Sequence, residues 1–225
     1  MNDQSSKKQS KAEILRDSFL EINLEYQQTA SASKTGGSTA VVGILYKDEE
    51  IYKLAVANTG DSRSIFCCKE ENKDFPMSYD HKPDTAAEQA RIESTGGFVT
   101  KGRVARVNGI LATSRAFGDF ELAPQVIVDP DIIEIELGRL SETGEIIPTK
   151  EQWHDNILII ASDGFWDVFS NAAAASYAAR ARKSGQIASE IAQHFVKTAY
   201  ERGSMDNITV FIVFLDTLLQ NHPLT

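Results

Sequence analysis

The chain has 225 residues, which is enough for one sizeable hydrophobic core or two small ones. Its hydrophobic and charged fractions, 42% and 24%, are those of an ordinary soluble globular protein, and its net charge of −9 argues against nucleic acid or an anionic membrane surface as the main partner. No stretch approaches the ~18 consecutive apolar residues of a membrane span, and the polar residues Met1–Lys11 lack the apolar centre of a secretory signal.

The two cysteines are the neighbours Cys67 and Cys68. Adjacent residues of a strand point to opposite faces, so this pair is a poor candidate for a disulfide bond. A reduced intracellular setting fits best, and we expect a cytoplasmic protein, with the nucleus as the alternative. The four histidines show no Cys/His or His/His spacing typical of a zinc site.

The chain divides into one domain and two tails. Residues 1–10 are polar and predict a disordered tail, residues 11–216 are expected to form the domain, and residues 217–225 predict a loose C-terminal tail. The domain opens with an amphipathic helix from Lys11 to about Ala32, since its apolar residues share one helical stripe.

Three strands follow as an antiparallel meander at Thr39–Tyr46, Ile51–Asn58 and Ser62–Cys68. The first two are almost wholly apolar, which predicts that both of their faces are covered. Asp61 and Arg63 flank the turn before the third strand and could pair with each other across it.

The second half of the chain predicts further hairpins and then a block of helices. A helix over Thr85–Thr95 should face inward with its Ala and Ile residues, namely Ala86, Ala87, Ala90 and Ile92. Gly138–Asp155 is polar and predicts a surface insertion. The pattern also predicts a hairpin at 98–107 and strands at 126–128, 132–137, 157–161 and 208–215. Two further helices are predicted at 172–183 and 187–202. This order predicts an α+β fold with an antiparallel sheet core and helices packed outside.

The apolar run Ile157–Ala161 stops at a carboxylate, Asp163, and Asp167 follows four residues later. If the chain turns helical after Gly164, the two acids lie on one face and repel each other unless a cation sits between them. The alternative is that Asp163 caps the N-terminus of the short segment Gly164–Phe169.

Asp206 begins the last strand, as Asp163 ends an earlier one. If these strands are antiparallel neighbours, the two carboxylates converge at one edge of the sheet, and Asp80 could reach the same rim. Mg²⁺ and Mn²⁺ prefer such oxygen ligands, and a pair of these ions can activate water and neutralise a phosphoryl oxygen. Asp80 and Asp206 could equally be helix or turn caps.

Six segments carry a resemblance to a known family. In chain order they are Ala57–Arg63, Asp80–Pro83, Arg106–Gly109, Thr113–Asp119, Ala161–Asp167 and Gly203–Asn207. Their order and spacing, from about Gly37 to Leu215, resemble the metal-dependent protein phosphatases of the 2C type.

The resemblance implies a fold, a reaction and a set of ligands. The expected fold is an antiparallel β-sandwich flanked by helices, and the expected reaction is hydrolysis of phosphoserine and phosphothreonine in phosphoprotein substrates with Mg²⁺ or Mn²⁺. Asp163 and Asp206 match ligands of the family's two-metal centre. Asp80 and Asp167, together with Asp163, match the ligands of a third metal.

The sequence departs from the family at its start. The family's opening strands, with a phosphate-binding Arg, a Glu-Asp pair and an Asp-Gly-His-Gly-Gly stretch, have no counterpart here. We therefore assign no catalytic residue, and His81 belongs to a different motif. Metal affinity should be low, and uncovered strand edges predict a homodimer or a strand-exchanged dimer.

Three functions remain as alternatives. The first is a phosphatase of this family, and the second is a catalytically impaired pseudophosphatase that binds or regulates other proteins. The third is a different two-metal hydrolase such as a nuclease, against which the acidic pI of about 5 weighs.

Overall fold

Two four-stranded antiparallel sheets carry the fold in this computed structural model, which describes residues 9–29, 36–67, 74–140, 146–148 and 157–221. The described strands are β1 (Gly37–Ser38), β2 (Ala40–Asp48), β3 (Ile51–Thr59), β4 (Arg63–Cys67), β5 (Asp74–Pro76), β6 (Val99–Thr100), β7 (Arg106–Val107), β8 (Phe117–Gly118), β9 (Asp131–Leu140), β10 (Ile146–Pro148), β11 (Ile157–Ala161) and β12 (Val210–Phe214). The described helices are α1 (Lys11–Thr29), α2 (Ala86–Ser94), α3 (Asp163–Trp166), α4 (Asn171–Lys183), α5 (Ala188–Glu201) and α6 (Leu215–Asn221).

The two sheets stack face to face. One has the strand order β10-β9-β3-β2 and the other has the order β12-β11-β4-β5. Side chains from both inner faces meet in one buried cluster, which includes Leu54 of β3, Phe66 of β4 and Leu158 of β11. The expected α+β fold with an antiparallel sandwich is therefore confirmed.

The helices cover the outer faces of the sandwich. Because successive strand residues point to opposite faces, β11 directs Ile157 and Ile159 away from Leu158 and into a second buried cluster. That cluster is completed by Phe195 of α5 and by Phe165 of α3. On the other sheet, α1 packs its buried residues Leu15 and Phe19 against β3. The continuous apolar sequence of β11 thus reflects burial on two sides.

Strand β2 corrects one expectation. Its neighbour β3 is buried along most of its length, as predicted, but β2 is partly exposed, and the exposed fraction of Val42 is 39%. The physical reason is its position at the edge of its sheet. Strand β12 is likewise an edge strand, and the exposed fraction of Phe211 is 60%.

Three further expectations are corrected. The helix α2 buries Glu88 with Ile92, while the alanines predicted to face inward, Ala86, Ala87 and Ala90, are exposed. Residues 126–128 form no strand beyond a single bridge between Arg115 and Ile127. The predicted loose tail begins as the helix α6.

Some predictions fall on residues that lie outside the described part of the chain. These include most of the N-terminal tail, Cys68, and much of the predicted insertion at 138–155, into which β9 and β10 extend as a hairpin. Among the described helices, none combines the length and the apolar composition needed to cross a membrane.

Candidate active site

The pairing of β11 with β12 brings Asp163 and Asp206 together. Ala161 lies opposite Val210 in the antiparallel register, so the residues after β11 and the residues before β12 leave the same edge of the sheet. Gly164 allows the two segments to approach closely. A Cβ atom at Gly164 would lie 2.5 Å from the carbonyl oxygen of Asn207 and 3.2 Å from Cβ of Asp206.

These residues border a pocket of about 430 Å³. Three of the four predicted site residues line it, namely Asp163, Asp167 and Asp206. The other lining residues are Asp61, Lys82, Pro83, Asp84, Arg103, Val104, Ala105 and Ala112. The pocket therefore combines five aspartates with two cationic side chains, and its charge is predominantly negative.

Asp80, the fourth predicted residue, does not line this pocket. Its carboxylate accepts two hydrogen bonds of 2.7 Å from the guanidinium of Arg63, which also donates to Asn171 at 2.8 Å. This bidentate pair corrects the expectation that Arg63 pairs with Asp61. Asp61 instead accepts a 2.6 Å hydrogen bond from Nζ of Lys82.

Asp61 is the residue that sequence reasoning missed. Ala161 lies opposite Arg63 where β11 pairs with β4, so the residues before β4 also reach the edge at which β11 ends. The signal was present in the sequence, since Asp61 follows Gly60 just before an apolar strand. Assigning Asp61 to the site required knowing that β4, and not another strand, is the neighbour of β11.

The acids of the pocket repel one another. Burial raises the pKa of Asp163, and the nearby charges of Asp61 and Asp206 raise it further against the opposing effect of Lys82. Burial alone would lower the pKa of Lys82, but its hydrogen bond to Asp61 and the charges of the surrounding acids raise it. A cation placed among these carboxylates would relieve the repulsion.

The donor chemistry fits a hard divalent cation only in part. Carboxylate oxygens are the ligands that Mg²⁺ and Mn²⁺ prefer. However, across the described ranges, no group of three or more His, Cys, Asp or Glu side chains is arranged to hold a metal ion by itself.

The capping alternative for Asp163 is corrected, because Ser162 is the N-cap of α3 and Asp163 is the first helical residue.

A buried network beneath the pocket holds its loops in place. Nδ1 of His81 accepts from the backbone N–H of Gly60 at 3.0 Å, and the carbonyl of His81 accepts from the hydroxyl of Ser114 at 2.9 Å. The exposed fraction of His81 is 3%, and its Nε2 lies 3.2 Å from Oδ2 of Asp131. His81 therefore joins the turn that carries Asp61 to the loop that carries Lys82, and it does not line the pocket.

Replacing Gly164 with alanine should weaken Mn²⁺ binding at least about tenfold, because the new methyl group would displace the segment that carries Asp206. We also expect a loss of about 1–3 kcal/mol in the free energy of unfolding from overpacking. Mn²⁺ titration and urea unfolding measure the two effects. Gly43→Ala is the matched control, since the nearest contact of its Cβ would be Cδ2 of Leu158 at 3.6 Å, an ordinary van der Waals distance. Equal Mn²⁺ affinity in both variants would contradict the prediction.

Comparison with known proteins places these observations in a family. The sequence model of the family Protein phosphatase 2C matches residues 1–208. The chain is 38% identical over 196 residues to Probable protein phosphatase 2C 11 of Arabidopsis thaliana, covering 87% of this chain and 46% of that protein. It is 39% identical over 197 residues to Probable protein phosphatase 2C 45 of Oryza sativa subsp. japonica, covering 88% of this chain and 61% of that protein. The chain thus spans about half the length of the curated relatives that it matches.

Solved structures give the same fold. A phosphatase from a pathogenic strain of Toxoplasma gondii superposes with a TM-score of 0.71 at 21% identity, covering 92% of this chain and 75% of that one. The serine-threonine phosphatase 2C from Toxoplasma gondii superposes with a TM-score of 0.65 at 25% identity, covering 89% of this chain and 65% of that one. The resemblance drawn from the six sequence segments is confirmed, and the chain belongs to the protein phosphatase 2C family.

Proposed function

We propose that this chain carries metal-binding and substrate-binding parts of a protein serine/threonine phosphatase that hydrolyses phosphoserine and phosphothreonine with Mg²⁺ or Mn²⁺. The observation that carries the proposal is the convergence of Asp163, Asp206 and Asp61 at one sheet edge, through the pairing of β11 with both β12 and β4. Membership of the family supports the reaction class.

In this proposal, Asp163 and Asp206 would hold the ions of a two-metal centre. When bound, the ions supply an activated water and neutralise a phosphoryl oxygen. Asp61 faces the same space, and Lys82 holds its carboxylate by the hydrogen bond of 2.6 Å. Asp167 and Asp163 would contribute to a third metal, and Asp80 would have to leave Arg63 to join them.

The proposed substrates are phosphoproteins. Self-association stays a prediction, and two of the four edge strands of the described sandwich support it: Val42 of β2 and Phe211 of β12 are exposed where a further strand could pair. A second copy of the chain would cover these edges in a homodimer or a strand-exchanged dimer.

The test is release of phosphate from a phosphothreonine peptide, with Mn²⁺ and with a chelator. We expect Mn²⁺-dependent turnover by the chain, and a loss of at least about 100-fold in kcat/KM for Asp206→Asn, because several kcal/mol of transition-state stabilisation depend on the metal. Asp17→Asn is the control, since this exposed residue of α1 does not line the pocket.

The alternatives give different results in this assay and in a parallel assay with plain DNA. Binding of the phosphopeptide without any Mn²⁺-dependent turnover would favour the pseudophosphatase. Mn²⁺-dependent cleavage of plain DNA without release of phosphate from the peptide would favour a different two-metal hydrolase.

A further inference from the structure

The short hairpin of β6 and β7 borders the acidic pocket. Its connecting residues Arg103, Val104 and Ala105 line the pocket together with Asp163 and Asp206. The base of the hairpin is fixed, because the backbone N–H of Phe98 donates to Oδ1 of Asn108 at 3.0 Å and the backbone N–H of Asn108 donates to the carbonyl of Phe98 at 2.8 Å. The tip that carries Arg103 is exposed.

Arg103 differs from Lys82, the other cationic side chain that lines the pocket, and from two arginines nearby. Lys82 is hydrogen-bonded to Asp61, Arg63 is paired with Asp80, and Arg115 is paired with Glu88. Within the described part of the chain, Arg103 forms no ion pair or hydrogen bond, although five aspartates line the same pocket. Its guanidinium is therefore uncommitted beside a pocket that is otherwise rich in negative charge.

We propose that Arg103 binds the phosphoryl group of the substrate, a phosphate monoester, and the phosphate product. This inference rests on the proposed phosphatase function and adds the side chain that receives the anion. A phosphate monoester close to five aspartates is repelled unless positive groups face it. Bound cations would supply part of that charge, and the uncommitted guanidinium of Arg103 supplies another part.

The geometry of arginine suits this role better than that of the neighbouring lysine. A guanidinium donates two parallel N–H groups to two oxygens of one phosphate, whereas Lys82 already donates to a carboxylate. The adjacent Val104, with an exposed fraction of 53%, gives an apolar contact beside Arg103 for the rest of the bound peptide. Arg103 is thereby a substrate-binding residue supplied by a loop, whereas the aspartates would bind the metal ions.

The experiment measures the affinity of the full chain for inorganic phosphate by titration calorimetry in the presence of Mn²⁺. Arg103→Ala should weaken phosphate binding about 10- to 100-fold, the loss expected for a charge-assisted bidentate contact. Arg103→Lys should restore part of the affinity, since it keeps the charge and loses the paired donors. Lys101→Ala is the matched control, because it removes an exposed cation from the same hairpin tip without altering the pocket lining.

Two further readouts separate anion binding from a structural role. Arg103→Ala should raise KM for a phosphothreonine peptide by a factor similar to its loss of phosphate affinity, and it should leave the affinity for Mn²⁺ unchanged or slightly tighter, since a nearby positive charge is removed. Weaker Mn²⁺ binding in Arg103→Ala would overturn the inference.

The same measurements distinguish the inference from the proposed function. Phosphate affinity that is equal in the wild type, Arg103→Ala and Lys101→Ala overturns the role of Arg103, whether or not the wild type turns over the peptide. Loss of phosphate affinity in Arg103→Ala, combined with no Mn²⁺-dependent turnover by the wild type, supports the anion-binding role and contradicts the proposed catalysis.

Discussion

Replacing Asp163 with asparagine should stabilise the metal-free protein and abolish the stabilisation that Mn²⁺ confers on the wild type. The amide removes one charge from a half-buried site where Asp61 and Asp206 repel it. We expect a gain of about 1 kcal/mol without metal, or roughly 2–4 °C in melting temperature. With Mn²⁺ at about 100 times its Kd, the wild type should gain about 2.7 kcal/mol, and the variant should gain almost nothing.

The predicted gain in stability without metal and the predicted loss of stabilisation by Mn²⁺ have opposite signs, which makes the prediction specific to a metal ligand. Loss of a purely structural carboxylate would lower the melting temperature in both conditions. The wild type without metal should also lose stability as pH rises past the ordinary pKa of an aspartate, because the pKa of Asp163 is higher in the folded than in the unfolded chain. Thermal unfolding of both proteins with and without Mn²⁺ measures these effects, and Asp17→Asn serves as the control. A variant that Mn²⁺ still stabilises would show that Asp163 does not hold the ion.

Replacing Glu88 with glutamine should cost about 3–5 kcal/mol of the free energy of unfolding, the typical effect of breaking a buried ion pair. The exposed fraction of Glu88 is 4%. Its carboxylate accepts hydrogen bonds from Arg115 at 2.7 Å, from Arg91 at 2.8 Å and from Ser114 at 2.7 Å. The amide leaves two guanidinium groups without their shared counter-charge. Glu93→Gln, an exposed position on the same helix, should change stability by less than about 0.5 kcal/mol.

The pH dependence of stability tests the same carboxylate. Burial alone would raise the pKa of Glu88, but hydrogen bonds from Arg115, Arg91 and Ser114 lower it from 4.5 to about 2. A lowered pKa contributes stability that is present above the unfolded pKa and is lost as pH falls through the folded pKa. The wild type should therefore lose about 3 kcal/mol from this group between pH ~5 and ~2. Urea unfolding across this range should give a shallower pH slope for Glu88→Gln, and parallel curves would contradict the assignment.

The sequence by itself determined most of the elements and the family. The apolar run of β11, the acid that follows it and the glycine after that acid are local features, so periodicity and residue type were enough to predict a buried strand that ends at Asp163. The convergence of Asp163 with Asp206 was conditional on β11 and β12 being antiparallel neighbours, and the structure supplied that pairing. The six segments identified the family, since their order along the chain needs no knowledge of contacts.

Only the tertiary structure decided which charges meet. The structure adds Asp61 to the pocket lining and excludes Asp80 from it. The strand order β12-β11-β4 places Asp61 at the sheet edge, and Arg63 pairs with Asp80. Glu88 lies on a helix whose alanines suggested the opposite face, and its partner Arg115 lies 27 residues away along the chain. The type of a residue indicates that its charge needs a partner when it is buried, but it does not identify that partner. Ion pairs and pocket walls form between segments that are distant in sequence. Their identity depends on strand order and register, which no local pattern encodes.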